Sequence, residues 1–257
     1  MSETIEFDGL CLFEGMTSIS ALIKAAENFA EARRIVKVFY DESKSSSKYS
    51  QIKFLSHRAE ALGFQLIPVT TEYIDSISSG KTHGGFVAVC EQRNYPSLSD
   101  DNINPNGIYY ILDGIEDPFN FGYTVRSLYA SGADGIVLPF RNWMESTAVV
   151  SRSSAGTSEL INTYVQDTSD AVKFFKSHGF RVACANITDS RSIYDADITA
   201  PIVFIIGGEK RGISGNVLKL ADINIRLDYA SDFKGSLPTS SAAAIISFEA
   251  AKRNNRF

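Results

Sequence analysis

The sequence predicts an α/β protein made of two units, each a run of alternating helices and strands. Three observations carry this. Apolar residues recur at helical spacing in Ile19, Leu22, Ile23, Ala26, Phe29 and Ala30, and a β-branched and aromatic run, residues 35–40, follows shortly after. The stretch NYPSLSDDNINPN is dense in Asn, Asp, Ser and Pro and has no apolar period. This stretch, residues 94–106, therefore reads as carrying a linker, 96–106, between a first unit, 1–95, and a second, 107–257. Finally, residues 202–206 are continuously apolar, as a strand covered on both faces of a parallel sheet must be.

Taken in order, Ser18 can cap the first helix, and residues 35–40 form the first strand. The polar loop DESKSSSKYS leads to a helix over 52–62, a strand over 64–69, a short helix over 72–77 and a strand over 86–91. Arg33, Arg34 and Lys37 lie close together, and a solvated face is the expected reading, with a phosphate contact as the alternative. In the second unit, strands are expected at 108–115, 135–138, 161–165, 180–185, 202–206 and 224–227. The intervening helices are 123–131, 169–177 and 215–221, and a last helix covers 239–252. Residues 143–156, with Arg152, Ser153 and Ser154, read as a less regular polar stretch.

Composition narrows the function classes. The chain has 257 residues, of which 44% are hydrophobic and 21% charged, as in a folded globular protein. No apolar run approaches the roughly 20 residues of a membrane helix, and the acidic start lacks a signal-peptide pattern, so a cytoplasmic protein is expected. Cys11, Cys90 and Cys184 are odd in number and scattered, as are His57, His83 and His178. Neither set has metal-ligand spacing, so no metal and no disulfide are expected. A net charge of −5 argues against non-specific coating of nucleic acid but leaves room for a local basic face.

The chemistry sits at strand ends. Asn120 and Arg126 follow the first strand of the second unit, Gly207, Gly208 and Glu209 follow the apolar run, and Ser236 and Leu237 precede the last helix. Paired glycines after a buried strand let a backbone approach a ligand closely, although a plain turn uses them equally well. An NAD-binding fingerprint is disfavoured, since G-x-G-x-x-G with a following acidic residue is lacking.

Three segments in this order, DPFNFGYTVRSLYASGADGIVLP, IVFIIGGEKRGIS and IRLDYASDFKGSLPTSSAAAIISFEA, resemble the motifs of SpoU/TrmH-type 2′-O-ribose RNA methyltransferases of the SPOUT superfamily. The first unit, with EGMTSISALIKA and KTHGGFVAV, is similar to the L30e-like substrate-binding domain that often precedes them. The resemblance implies an α/β-knot fold, with a trefoil knot at the C-terminal end of the sheet. It further implies bent S-adenosyl-L-methionine (AdoMet) in that knot, and a homodimer whose active site draws on both subunits. The pattern alone leads instead to an unknotted doubly wound sheet, because knots are rare exceptions to chain topology.

Matched position by position, Gly207, Gly208, Ile225 and Leu237 are expected at the cofactor, and Asn120, Arg126, Glu209 and Ser236 at the reacting groups. Methyl transfer from a sulfonium is an in-line displacement, so the enzyme mainly aligns donor and ribose and stabilises the developing oxyanion. Arg126 is expected to orient the RNA phosphate and stabilise that oxyanion, since a guanidinium stays charged and is a poor base. Asn120 can equally be a helix N-cap. Glu209, which a surface ion pair with Lys210 or Arg211 would also explain, is expected to orient Asn120 or Arg126, since it follows a buried strand and two glycines. Ser236 can be a cap of the last helix, with Thr239 competing for that task. Arg126, Arg141, Arg152, Lys210 and Arg211 are the candidates for a basic RNA-binding face. One departure stands out: the family usually has Asn where this chain has Pro238, which removes an amide and a backbone donor. Either Thr239 or Ser240 takes over that positioning, or the chain is an RNA-binding relative with weak or no catalysis. The expected RNA is ribosomal, with transfer RNA the alternative.

Overall fold

The computed structural model describes residues 7, 9–80, 82–139, 146–209 and 212–257. Lys81, Arg141, Trp143, Lys210 and Arg211, all part of the sequence reading, lie outside the described residues. The chain forms two compact units: Met1–Asn94 with Glu145–Leu160, and Tyr95–Met144 with Ile161–Phe257.

The first unit runs β1 (Leu10–Glu14), α1 (Gly15–Asn28), β2 (Ile35–Asp41), α2 (Tyr49–Leu62), β3 (Gln65–Val69), α3 (Thr71–Ile77) and β4 (Phe86–Glu91). Its sheet has the order β1-β4-β2-β3, with β2 and β3 parallel and the other pairs antiparallel. Strand β1 has no counterpart in the sequence reading. Helix α1 starts at Gly15, so Ser18 is a buried helical residue rather than a cap, and the N-cap residue Glu14 makes no side-chain cap bond.

Arg33 is not part of a solvated face. Its Nε donates to Glu159 Oε2 at 3.0 Å, with the two side chains 2% and 3% exposed. The compensating carboxylate is supplied 126 residues away and makes burial of the charge tolerable. Arg34 does behave as the sequence suggests, in an exposed pair with Glu91. Residues 147–153, expected as irregular, form a short helix that packs on β1 within the first unit.

The second unit begins with β5 (Ile108–Asp113), α4 (Pro118–Ala130) and β6 (Gly135–Leu138). Helix α5 (Thr147–Ser153) is the short helix of the first unit just described. The second unit then continues with β7 (Thr163–Val165), α6 (Thr168–Ser177), β8 (Arg181–Ala185), β9 (Arg191–Ser192), β10 (Ile202–Gly207), α7 (Gly215–Leu218), β11 (Ile223–Arg226) and α8 (Thr239–Arg253). All neighbours in its sheet, β7-β6-β5-β10-β8-β11-β9, are parallel. Residues 202–206 are buried throughout, as their apolar run requires, between β5 and β8. Tyr109, Phe175 and Phe180 pack together under this sheet, with Tyr109–Phe175 ring centroids 5.1 Å apart. Residues 96–106 pack here too: Leu98 is buried in the core, and the Tyr109 hydroxyl accepts from the Asn104 backbone N–H.

Two features of this sheet position the site. Strands β5 and β10 are direct neighbours, so the loops at their C-terminal ends meet. After β11 the chain returns to the end of β10, where Thr239 Oγ1 donates to the Gly207 carbonyl at 3.3 Å, and α8 packs on α4.

Candidate active site

Helix α4 begins earlier than its apolar periodicity indicates. Asp117 Oδ1 accepts from the Asn120 backbone N–H at 2.9 Å, and Pro118 occupies the first turn, where its missing N–H costs nothing. The cap is thus Asp117, which leaves the Asn120 side chain unencumbered by capping. Its Nδ2 donates instead to Glu209 Oε1 at 3.0 Å, across 89 residues of sequence. Glu209 therefore holds Asn120.

Gly207 and Gly208 are required for a reason the sequence did not reveal. A Cβ on Gly208 would lie 1.8 Å from the Gly114 carbonyl oxygen, and one on Gly207 would lie 2.8 Å from the Gly212 carbonyl carbon. The close approach is made by the protein's own backbone. Gly208 N–H donates to the Asp113 carbonyl at 2.7 Å, and Gly212 N–H to the Gly208 carbonyl at 3.1 Å, so the end of β10 is locked against the loop after β5.

That locked turn forms one wall of a cavity of about 600 Å³. Gly207, Gly208, Glu209, Ile225, Ser236 and Leu237 all line it, so six of the eight sequence-predicted residues meet at one cavity. Its apolar surface comes from Ile206, Ile213, Leu218 and Ile246. On its other side, Glu209 and Thr239 also line a smaller cavity of about 340 Å³, together with Gly114, Asp117 and Asn120. Arg126 lines neither cavity. It is exposed on α4 and forms no hydrogen bond or ion pair with the described residues. Ser236 is exposed and does not cap α8; the N-cap position is Pro238, whose carbonyl accepts from the Ser241 and Ala242 N–H groups.

Thr239 is the residue that sequence reasoning undervalued. It is buried, tethers α8 to β10, and lines both cavities. Its hydroxyl donor is committed to the Gly207 carbonyl, which leaves it able only to accept from a further group. Gly114, with φ of 84°, is equally part of the site and carried no signal beyond its place after a strand. Among the described residues no group of three His, Cys, Asp or Glu side chains is placed to hold a metal ion.

Residues 107–248 match the SpoU rRNA Methylase family, and residues 12–96 match the RNA 2′-O ribose methyltransferase substrate-binding domain. The chain belongs to the SpoU rRNA methylase family. It is 27% identical over 235 residues to a putative TrmH family tRNA/rRNA methyltransferase, YacO, of Bacillus subtilis, covering 89% of this chain and 92% of that protein. It is 24% identical over 245 residues to the 23S rRNA (guanosine-2′-O-)-methyltransferase RlmB of Xylella fastidiosa, covering 93% and 96%. Among solved structures, the AdoMet-bound rRNA methyltransferase of Sinorhizobium meliloti superposes with a TM-score of 0.78 at 23% identity, covering 95% of this chain and 87% of that one. The fold class is α/β, a small N-terminal α/β unit and a C-terminal unit on a seven-stranded parallel sheet, as in the family's solved members.

This family's methyl donor is AdoMet, and the larger cavity fits it. Its volume is within the range of cofactor sites, Gly207, Ile225 and Leu237 line it, and Ile206, Ile213, Leu218 and Ile246 add apolar surface. Bound there, AdoMet supplies a methyl carbon made electrophilic by its sulfonium. The chain is an RNA 2′-O-ribose methyltransferase.

Proposed function

We propose that the chain uses AdoMet to methylate a ribose 2′-hydroxyl of ribosomal RNA, and that it does so as a homodimer. The observation that carries the reading is the convergence of Gly207, Ile225 and Leu237 on one cavity whose edge holds the Asn120–Glu209 pair. The rRNA substrate is supported by the family description and by the likeness to RlmB over both units.

In this reading Gly207, Gly208, Ile225 and Leu237 hold the cofactor through backbone and apolar contact. Glu209 is a positioning residue that fixes the Asn120 amide. Asn120 and Ser236 orient the ribose and its neighbouring phosphate, and Arg126 stabilises the oxyanion that forms as the methyl group transfers.

Arg126 lines neither cavity of its own chain, which favours its being supplied to the site by a second copy. Phe119, Tyr123 and Arg126 are exposed residues at i, i+4 and i+7 on one face of α4, and the two aromatics are each 48% exposed. Exposed Phe248 and Phe257, packed ring to ring, lie on and just beyond α8, the helix on which α4 packs. An apolar face of this kind suits a two-fold partner, which would bring the Arg126 of one copy toward the cofactor of the other. We place the enzyme in the cytoplasm, with RNA and AdoMet; no helix among the described residues is long and apolar enough to cross a membrane.

The test has two parts. Sedimentation of the wild type is expected to give a dimer, and Tyr123→Asp is expected to give monomers that bind AdoMet but transfer no methyl group. Arg126→Lys keeps the charge but loses the fork, so unchanged turnover in that variant would remove the proposed role of the guanidinium. Cofactor binding with no transfer to any RNA would favour a binding protein in which Pro238 has ended catalysis.

A further inference from the structure

A third cavity, of about 400 Å³, lies wholly within the first unit. It opens at the start of α1, whose residues Gly15, Met16, Thr17 and Ser18 line it, and is closed by Gln51 of α2, by Thr82, His83 and Gly84, and by Ser151 and Arg152 of α5. Lys48, immediately before α2, also lines it.

Four features give this cavity the chemistry of an anion-bearing ligand. Helix α1 has 14 residues and its N-cap residue Glu14 makes no side-chain cap bond, so the first turn that lines the cavity brings to it uncapped N–H groups and the positive end of the helix dipole. The one carboxylate on the wall, Glu14, is already neutralised: its Oε1 accepts from the Ser79 N–H and hydroxyl at 2.7 Å, and its Oε2 from Arg152 at 3.2 Å. Lys48 forms no ion pair among the described residues, so the wall carries an unbalanced positive charge. A Cβ on Gly84, at φ 61°, would meet nothing within 4 Å, which leaves the backbone there open to a ligand.

The wall also holds unspent hydrogen-bonding capacity. Ser151 Oγ, on a residue with 0% exposure, and Gln51 Oε1 are buried and have no partner among the described residues. Orphaned buried polar atoms are uncommon in folded proteins, and two at one cavity point to a partner that arrives from outside. His83 is not spare. Its Nδ1 accepts from the Gly85 N–H at 3.1 Å, so its Nε2 carries the proton shared with Asp75 at 2.9 Å.

We propose that this cavity is a subsite for one nucleotide of the RNA substrate, with a phosphate held between the N-terminus of α1 and Lys48 and the base read by Gln51 and Ser151. The subsite rests on the RNA reading above and deepens it, since it assigns substrate recognition to named residues away from the methyl-transfer site. Because α5 is contributed by the chain between two strands of the methyltransferase sheet, the subsite is built from both stretches of sequence.

The test is RNA binding by the full chain, with Lys48→Ala, Gln51→Ala and Ser151→Ala compared with wild type. Lys48→Ala is expected to weaken RNA binding about 5-fold to 10-fold and to reduce the slope of log affinity against log salt by about 1, with AdoMet affinity unchanged. Gln51→Ala and Ser151→Ala are expected to weaken binding to the preferred RNA with the salt slope unchanged. A merely structural role would lower the melting temperature and leave these slopes alike. Nucleoside 5′-monophosphates titrated against the wild type are expected to shift the amide resonances of residues 15–18 selectively. If the wild type methylates RNA while all three folded variants bind it as the wild type does, the subsite is overturned and the enzyme reading stands. If the wild type binds no RNA, both fall.

Discussion

The Asn120 side-chain amide donates to Glu209 Oε1 at 3.0 Å, joining the first turn of α4 to the residue that follows the Gly207-Gly208 turn. Glu209 is exposed and Asn120 half-buried, so the bond adds little to folding stability. Its effect is on orientation. Glu209→Ala is expected to lower kcat about 10-fold to 100-fold with a small change in AdoMet affinity, because a misaligned group costs rate more than binding. The double variant Asn120→Ala, Glu209→Ala should lose little beyond the worse single variant, the mark of two residues acting as one unit. Additive losses would separate them.

The Gly208–Gly114 contact makes a second prediction. Gly208→Ala would drive a Cβ into the Gly114 carbonyl oxygen and is expected to cost about 3 kcal/mol and to abolish AdoMet binding. At Gly212, φ is 60° and a Cβ would meet nothing within 4 Å, so Gly212→Ala should cost only the left-handed strain of about 1–2 kcal/mol. Denaturant unfolding of both variants measures the contrast. Equal losses would mean that backbone crowding is not what selects glycine at position 208.

In the first unit, the Arg33–Glu159 ion pair is buried and the Arg34–Glu91 pair is not. Glu159→Ala should destabilise by about 3–5 kcal/mol, since it strands a buried guanidinium. Arg34→Ala should cost under about 1 kcal/mol.

Asp41 gives a pH dependence. Burial pushes its carboxyl upward, but hydrogen bonds from Ser43, Lys44 and Thr71 outweigh this and bring it down to about 2, from the ordinary 3.8. A carboxylate with a lowered folded-state value contributes stability in full above its unfolded value and loses it as pH falls toward the folded one. Asp41→Asn should therefore melt below the wild type at neutral pH, with the gap narrowing between about pH 4 and pH 2. A constant gap would assign the loss to packing instead.

Much of this architecture is legible in the residues. Strand β4, 86–91, and strand β6, 135–138, fall where their apolar runs end, because a strand buried on both faces has no polar position to blur its bounds. Helix α4 begins before its apolar stripe because Asp117 and Pro118 start it, and those two residues serve a turn equally well. Arg33 was unreadable locally, since its partner lies 126 residues away. The site divides in the same manner. Gly207, Ile225 and Leu237 could be placed by the resemblance, and the cavity gathers them. That glycine is needed at 208 because of Gly114, and that Thr239 is tied to the Gly207 carbonyl, are consequences of strands β5 and β10 lying side by side, which no local pattern encodes.

The most direct measurement is methyl transfer itself. Purified wild type and Arg126→Ala are incubated with methyl-labelled AdoMet and unmodified ribosomal RNA, and the RNA is digested to nucleosides. The expected product is a single 2′-O-methylated nucleoside, formed by the wild type and reduced at least about 100-fold in Arg126→Ala, with AdoMet affinity retained by both. Label on a base rather than a ribose, or AdoMet binding with no labelled RNA from the wild type, would contradict the assignment.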